Sequence, residues 1–218
     1  MISTKLGYII CGTDTDVGKT IASAFFVQGL KATYWKPIQS GMEVKSDTEV
    51  ICELLKLSPN RCLPEAYKFK VPVSPHWSAE LENRLIELKQ LAIPSFIHPP
   101  LVIETAGGLM VPLKRNYLQI NQLKKWKYPV ILVGRSGLGT INHTLLSLEA
   151  LKEREIPVLG VVLNGPIHKD NPKIIEDLGK VPVICQLPLL EKITANSLAQ
   201  IWKDSRMESV FKTLISKF

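Results

Sequence analysis

The stretch Gly12-Thr13-Asp14-Thr15-Asp16-Val17-Gly18-Lys19-Thr20 decides the fold of this chain. It follows an apolar run at 8–11 and leads into a second, helix-like apolar run at 21–27. This order predicts a buried strand, a tight loop and a helix N-terminus, whose free N–H groups and positive dipole end favour an anion. The stretch therefore indicates nucleotide phosphate binding, with Lys19 reaching the β- and γ-phosphates and the Thr20 hydroxyl coordinating Mg²⁺.

The loop is one residue longer than the usual pattern Gly-x-x-x-x-Gly-Lys-Thr. That pattern requires a glycine at position 13, where this chain has Thr13, and the glycine stands one step earlier at Gly12. The alternative is an accidental Gly-Lys-Thr at a helix start. The strand-like and helix-like runs on either side favour phosphate binding over that alternative.

Composition sets the broad class of the protein. The 218 residues are 45% hydrophobic and 22% charged, which is typical of one globular domain, expected to span 1–218. No leader peptide and no apolar run of about 18 residues is found, so we expect a cytoplasmic protein without a membrane partner. The net charge is +7, but its densest cluster, 124–127, is short. An anionic small-molecule substrate explains this sign better than a nucleic acid does.

The cysteines and histidines predict neither a disulfide framework nor a zinc site. The four cysteines form no C-x-x-C pair, so reduced thiols are expected, and the four histidines lack metal-ligand spacing. These residues are Cys11, Cys52, Cys62, Cys185, His76, His98, His143 and His168.

Strand-like and helix-like runs alternate along the chain. This alternation predicts an α/β fold of three layers, a mostly parallel sheet with helices on both faces, of the P-loop NTPase type. The proline-rich segment 58–100 is interpreted as an insertion beside the sheet. The predicted strands are 5–11, 32–35, 101–104, 129–133, 158–163 and 181–185, and the predicted helices are 18–30, 46–55, 78–91, 117–127, one ending near 154, 171–179 and 195–217.

Several polar residues stand where predicted strands end, which in open parallel sheets is the ligand-binding edge. Lys36 follows the second strand, and Glu104 ends the third in the position of a Walker B metal ligand or water-orienting acid. Asp47 falls in the first turn of a helix behind a Ser46–Glu49 capping box, where a carboxylate is favoured anyway. For Lys36 and Glu104 the alternative is a solvated side chain. Ser40 could be a turn residue alone.

Two later segments suggest further ligand contacts. Glycines beside a helix start at 134–143 make a second candidate anion site, here for a carboxylate, or else an ordinary strand–helix turn. Asn164 ends a strand and could hold a base edge or a turn.

Taken together, these pieces resemble the dethiobiotin synthetase family over nearly the whole chain. Each piece alone is weak, but their order and spacing are specific. Thr105 is the one clear departure, because the family pattern Glu-Gly-Ala-Gly-Gly has glycine there. The matching pieces are the loop 12–20, Lys36-Pro37-x-x-Ser40-Gly41, Asp47, Ser74-Pro75-His76, Glu104-x-Ala106-Gly107-Gly108, Leu138-Gly139-x-Ile141-Asn142-His143, Asn164 and Pro188-Leu189.

The resemblance implies an ATP- and Mg²⁺-dependent enzyme of biotin biosynthesis. Its substrate, 7,8-diaminopelargonate, takes up CO₂ as a carbamate, which ATP phosphorylates before the second amine closes a cyclic urea. The anionic carbamate must meet the anionic γ-phosphate, so the site needs several cations. Lys19, Lys36 and Mg²⁺ would supply them.

The resemblance also implies individual roles. Thr20, Asp47 and Glu104 are the expected Mg²⁺ ligands, Ser40 binds the carbamate or amine beside Gly107 and Gly108, and Asn164 with Pro188 and Leu189 holds the adenine. The family is a homodimer, in which Leu138, Gly139 and Asn142 of the second subunit hold the substrate carboxylate at the interface.

Two rival functions stay open on the sequence. One is a kinase or related phosphoryl-transfer enzyme with another acceptor. The other is a P-loop ATPase switch that dimerises and binds DNA or a partner; such proteins often carry a second lysine near the start of the loop, and 13–17 contains none.

Overall fold

The protein is described by a computed structural model over residues 7–42, 45–95 and 98–216. Eleven strands lie in these ranges: Gly7–Gly12 (β1), Thr33–Trp35 (β2), Ile38–Ser40 (β3), Cys62–Leu63 (β4), Tyr67–Phe69 (β5), Leu101–Gly108 (β6), Pro112–Lys114 (β7), Tyr117–Leu118 (β8), Val130–Arg135 (β9), Val158–Asn164 (β10) and Val183–Leu187 (β11). The α-helices of the same ranges are Lys19–Leu30 (α1), Asp47–Leu55 (α2), Pro75–Leu81 (α3), Gln119–Trp126 (α4), Thr140–Lys152 (α5), Asn171–Gly179 (α6), Ala195–Asp204 (α7) and Met207–Ile215 (α8).

Seven strands form one parallel sheet in the order β11-β10-β9-β1-β6-β2-β4. Its central strands are nearly continuous apolar runs because a parallel sheet between helices is buried on both faces. Two small sheets stand beside it, the parallel pair β3–β5 and the antiparallel hairpin β7–β8. The predicted α/β class is confirmed.

A hydrophobic core fills each face of the sheet. Helices α1, α2, α7 and α8 cover one face, where Phe25, Phe26, Trp202 and Phe211 pack with ring centroids 5.1 to 6.2 Å apart. Helices α3 to α6 contribute to the other core. This three-layer arrangement leaves the carboxyl ends of the strands free to carry the site.

Two predicted helices are wrong in extent. Within the run 78–91, the α-helix α3 already ends at Leu81, and only a separate 3-10 turn follows at Leu88–Leu91. Asn83 adopts φ 52°, and the Arg84 N–H reaches back to the Ala79 carbonyl, which closes the helix in a Schellman-type end. The helix predicted over 195–217 is two helices, α7 and α8, because Arg206 adopts φ 49° between them.

The prediction of reduced thiols is wrong for two of the four cysteines. Cys52 of α2 and Cys62 of β4 form a disulfide, with Cα atoms 6.4 Å apart. Their ten-residue separation shows no recognisable motif, and only the packing of α2 against the sheet edge brings them together. Cys11 and Cys185 are free and buried, and burial raises the pKa of each thiol to about 11.

Smaller differences concern element ends. The predicted turn at 39–41 overlaps strand β3, and the last predicted strand is displaced to β11 because Pro182 has no N–H to donate. The segment 58–100 is not wholly an insertion beside the sheet, because its strand β4 pairs with β2 as the edge strand. The helix predicted over 117–127 begins after the two-residue strand β8. Residues 5 and 217, which bounded two predicted elements, lie outside the described residues.

No helix within the described ranges is both long enough and apolar enough to cross a membrane.

Candidate active site

The phosphate loop lies between β1 and α1, as the sequence predicts. Gly18 adopts φ 89°, and a Cβ there would stand 2.0 Å from the Asn164 amide nitrogen, so only glycine fits. The Lys19 ammonium folds back to donate to the Asp14 carbonyl at 2.7 Å. Asp14 is held in turn, because its carboxylate accepts the Thr15 N–H at 2.7 Å and contacts Arg135 at 3.3 Å. The loop is therefore closed on itself by its own lysine.

Four polar residues from four elements meet beside this loop. The Lys36 ammonium donates to Asp47 Oδ2 and, at 3.1 Å, to Glu104 Oε1. The Thr20 hydroxyl lies 2.8 Å from Asp47 Oδ1 and 3.1 Å from Glu104 Oε1. The residue after β2, the middle of β6 and the first turns of α1 and α2 thus bring together residues up to 84 positions apart. Glu104 does not end its strand as predicted, because β6 continues to Gly108.

The charges in this cluster change one another's ionisation. Burial alone would lower the pKa of Lys36, but the carboxylates of Glu104 and Asp47 outweigh it and raise that pKa above its usual value. Burial alone would raise the pKa of Asp47, and Lys36 and Thr20 lower it instead. Burial lowers the pKa of Lys19. The cluster therefore favours charged Lys36 and ionised Asp47.

Two members of the site were missed in the sequence. The buried Tyr34 hydroxyl donates to Glu104 Oε2 at 2.9 Å and so fixes that carboxylate. Gln39 accepts the Asp47 N–H at 3.2 Å and lines the cavity. Tyr34 could have been found, because residues two apart in a strand share a face and Lys36 stands two positions later. Nothing in the sequence singled out Gln39.

The cluster forms part of the wall of a cavity of about 780 Å³. The buried Ser40 Oγ lies on this cavity and has no hydrogen-bond partner among the described residues. A buried hydroxyl without a partner is costly, so it suits a ligand group. The cavity is also lined by Thr15, Asp16, Ile21, Pro72, Val73, Ser74, Pro75, Ala106, Gly107 and Val111.

The segment after Glu104 continues β6 and tolerates Thr105. Thr105 is 2% exposed, is absent from the residues with positive φ and donates its hydroxyl to the Ile10 carbonyl at 3.3 Å. The strained position is Gly107, at φ 66° on the cavity wall. Gly108 pairs with Gly12 across the sheet and does not line the cavity. The departure from the family pattern at Thr105 thus leaves the backbone undistorted.

The predicted adenine-binding residues lie at the same edge of the sheet but do not line this cavity, although Asn164 stands against Gly18 of its wall. The Asn164 amide donates to the Val17 carbonyl at 3.3 Å, which ties β10 to the phosphate loop. Leu187 pairs with Asn164 in the sheet, so Pro188 and Leu189 emerge next to it. Leu189 is 73% exposed.

The residues predicted to hold a substrate carboxylate are not brought to the cavity by this chain. Leu138 is fully exposed, Asn142 is exposed, and nothing lies within 4 Å of a Cβ built on Gly139. All three stand at the turn into α5. Within a single chain they contact none of the clustered residues described above.

The oxygens of Thr20, Asp47 and Glu104 suit a small hard cation such as Mg²⁺. Neighbouring ligands around Mg²⁺ at about 2.1 Å lie about 3.0 Å apart, close to the 2.8 and 3.1 Å separations found here. No group of three or more His, Cys, Asp or Glu that could hold a metal occurs in 7–42, 45–95 and 98–216. A metal here would therefore need hydroxyl, water and phosphate oxygens to complete its shell.

Comparison with known proteins identifies close relatives. The profile of the AAA domain family matches residues 7–197. The ATP-dependent dethiobiotin synthetase BioD of Brucella anthropi is 47% identical over 197 residues, which cover 90% of this chain and 92% of the relative. The enzyme of the same name from Agrobacterium fabrum is 47% identical over 196 residues, with coverages of 90% and 92%.

Solved structures agree on the fold. A ParA family ATPase from Chlorobium tepidum superposes with a TM-score of 0.55 at 15% identity, covering 97% of this chain and 98% of its own. The septum site-determining protein MinD of Pyrococcus horikoshii, complexed with Mg-ADP, gives a TM-score of 0.51 at 14% identity, with coverages of 94% and 95%. At these identities the likeness shows the P-loop α/β fold alone.

Proposed function

The chain belongs to the family of ATP-dependent dethiobiotin synthetases of biotin biosynthesis, and from this we propose that its large cavity joins CO₂ to 7,8-diaminopelargonate and closes a cyclic urea. The observation that carries the proposal is the meeting of Lys36, Thr20, Asp47 and Glu104 on one wall of the cavity beside the Lys19 loop. The proposal treats the chain as one domain.

The proposed reaction brings anions together, and the lysines make that favourable. One amine of the substrate captures CO₂ as a carbamate, and a carbamate oxygen attacks the γ-phosphorus of ATP, releasing ADP. The second amine then attacks the carbonyl carbon and displaces phosphate. Lys19 and Lys36 lie where they can stabilise the charge that develops on the transferring phosphoryl group.

The other residues bind and orient. Ser40, whose buried hydroxyl lacks a partner among the described residues, would hydrogen-bond the carbamate next to Gly107. Mg²⁺, held by Thr20, Asp47 and Glu104, would supply positive charge to the nucleotide phosphates. The oxygen geometry and the ionised state of Asp47 support these ligands.

Two further parts of the proposal concern adenine and the second subunit. The base would lie against Asn164, Pro188 and Leu189, which share the sheet edge that continues from the phosphate loop. Leu138, Gly139 and Asn142 of a second subunit would hold the substrate carboxylate across a homodimer interface. Their exposure in one chain supports this arrangement, because it leaves them accessible to a second subunit.

The test measures phosphate release from ATP and Mg²⁺ with bicarbonate, with and without 7,8-diaminopelargonate, while dethiobiotin is followed by mass. We expect release only with the diamine, and one ring product for each phosphate. Phosphate release at the same rate with and without the diamine would overturn the proposal and favour a phosphoryl-transfer enzyme with another acceptor. A response to DNA instead of the diamine would favour an ATPase switch.

A further inference from the structure

Ser74 stands where a helix cap is expected but does not act as one. It is the N-cap residue of α3, yet its side chain makes no hydrogen bond to the helix amides. Serine is favoured at this position because its oxygen usually accepts such a bond, which stabilises the helix. Here the Ser74 hydroxyl lies 3.0 Å from Nδ1 of His76 instead. The side chain is thus committed to the imidazole.

The two partners line different cavities. Ser74 lines the 780 Å³ cavity that contains the Lys36 cluster. His76 lines a neighbouring cavity of about 320 Å³ together with Glu80, Arg84 and Arg115. The hydroxyl–imidazole pair therefore connects the proposed reaction chamber to a second, separate space.

The proposed reaction needs a route for protons. Attack of the second amine forms a C–N bond and breaks the C–O bond to phosphate, and the attacking nitrogen must lose a proton as phosphate leaves with the bonding electrons. Lys19 and Lys36 line the same cavity, but Lys36 is held protonated by two carboxylates and donates to both. A neutral imidazole reached through a hydroxyl is suited to accept that proton.

We propose that Ser74 and His76 carry the proton away from the amine during ring closure, an inference that rests on the proposed function. The Ser74 oxygen takes the N–H proton while its own proton passes to Nδ1 of His76. This requires Nδ1 to be free, so the neutral imidazole carries its proton on Nε2. The imidazolium then releases its Nε2 proton into the second cavity, and solvent exchange returns the remaining proton from Nδ1 to Nε2, which resets the pair.

Charged groups surround His76 on several sides. Glu80 stands on α3 and Arg115 in the turn after β7. The Arg115 guanidinium donates to both carboxylate oxygens of Glu80, at 2.9 and 2.6 Å. Lys114 and Arg84 line the same cavity, and β5, which also packs against α3, carries Lys68. These charged groups set the electrostatic surroundings of the imidazole.

The experiment compares His76→Asn and Ser74→Ala with the wild-type enzyme under saturating ATP and diamine. Asparagine can still accept a hydrogen bond from Ser74 but cannot take up a proton. We expect ring closure to slow about 100-fold in His76→Asn. ADP formation should slow less, so that the anhydride is lost to water and more than one phosphate is released for each dethiobiotin. His168→Ala is the matched control, since that exposed histidine contacts α6 far along the chain.

A pH profile separates proton transfer from a structural role. Wild-type ring closure should fall at acidic pH, and His76→Asn should lose this acidic limb. The proton route would be overturned if both variants closed the ring at a rate within about twofold of wild type and released one phosphate per product. Recovery of full activity in His76→Asn would do the same by showing that a hydrogen bond suffices. If wild-type protein made no ring product, the proposed function itself would fail instead.

Discussion

The edge of the sheet at β2 and β6 and the turn into α5 both carry residues that the sequence predicts for the site, but the solvent exposure of the two sets is opposite. At the sheet edge, Lys36 and Glu104 contact each other and are almost fully buried. At the turn, Leu138 and Asn142 are exposed. A cluster of buried charges must be satisfied within the chain, because unpaired buried charges are too costly. An exposed apolar residue at a glycine-rich turn needs no partner within its own chain and stays accessible to a second subunit. This contrast supports the proposed interface site.

The largest expected effect is on the buried cluster. Lys36→Ala removes the cation between Asp47 and Glu104, and we expect turnover to fall about 100-fold or more because transition-state charge loses its stabilisation. Lys19→Ala should act similarly. Substrate-dependent phosphate release measures both.

Lys45→Ala is the matched control for these lysine changes. Its ammonium forms an exposed pair with Glu53 at 2.5 Å, and such surface pairs contribute little. Near-normal rates in both Lys19→Ala and Lys36→Ala would contradict the assigned chemistry.

The next effect tests the exposed turn. Asn142→Ala should raise the KM for the diamine about tenfold, since a hydrogen bond to a charged group is lost, and leave the KM for ATP unchanged. Mixing this variant with Lys36→Ala, at a diamine concentration below the raised KM, sharpens the contrast between the two regions. A mixed dimer would place both lesions in one site and leave the other intact.

Activity of the re-associated mixture is the decisive quantity for a shared site. With random pairing, roughly half of the dimers are mixed, and each should regain one working site. A mixture no more active than its two components measured separately would show that each chain works alone.

A smaller effect concerns the pH dependence of stability. The lowered pKa of Asp47 contributes stability above about pH 3.9, which is lost as the pH falls through its folded-state pKa. The raised pKa of Lys36 contributes stability below about pH 10.4, which is lost as the pH rises through its folded-state pKa. Urea unfolding across this range should show both limbs. Asp47→Asn should remove the part of the acidic limb that Asp47 contributes. The control Asn142→Ala should keep both limbs. Identical stability profiles for Asp47→Asn and wild type would refute this prediction.

The smallest effect is expected at Thr105, next to the cluster. Thr105→Gly restores the family residue, but the backbone does not need glycine there and the Ile10 contact is lost. We expect the free energy of unfolding to fall by about 1 kcal/mol. Turnover should change by less than about twofold. A clear rise in turnover would show that glycine geometry matters to the reaction.

Local chemistry explains which predictions succeeded. The strand, loop and helix around 12–20 are specified by adjacent residues, and the capping box of Ser46 and Glu49 forms as expected. The predicted extents of the helices at 78–91 and 195–217 were wrong because single residues, Asn83 and Arg206, adopt left-handed conformations that end a helix. The sequence pattern of polar and apolar residues continues across both breaks and does not reveal them.

The sequence by itself determined six of the seven strands of the main sheet, the phosphate loop and the edge of the sheet at which Lys36, Asp47 and Glu104 would lie. These follow from local periodicity, caps and glycines, which act over a few residues. The tertiary structure alone decided the Cys52–Cys62 bond, the contact of Tyr34 with Glu104 and the Ser74–His76 pair between two cavities. Such contacts depend on side-chain directions and on how separate elements pack, and no local pattern encodes them.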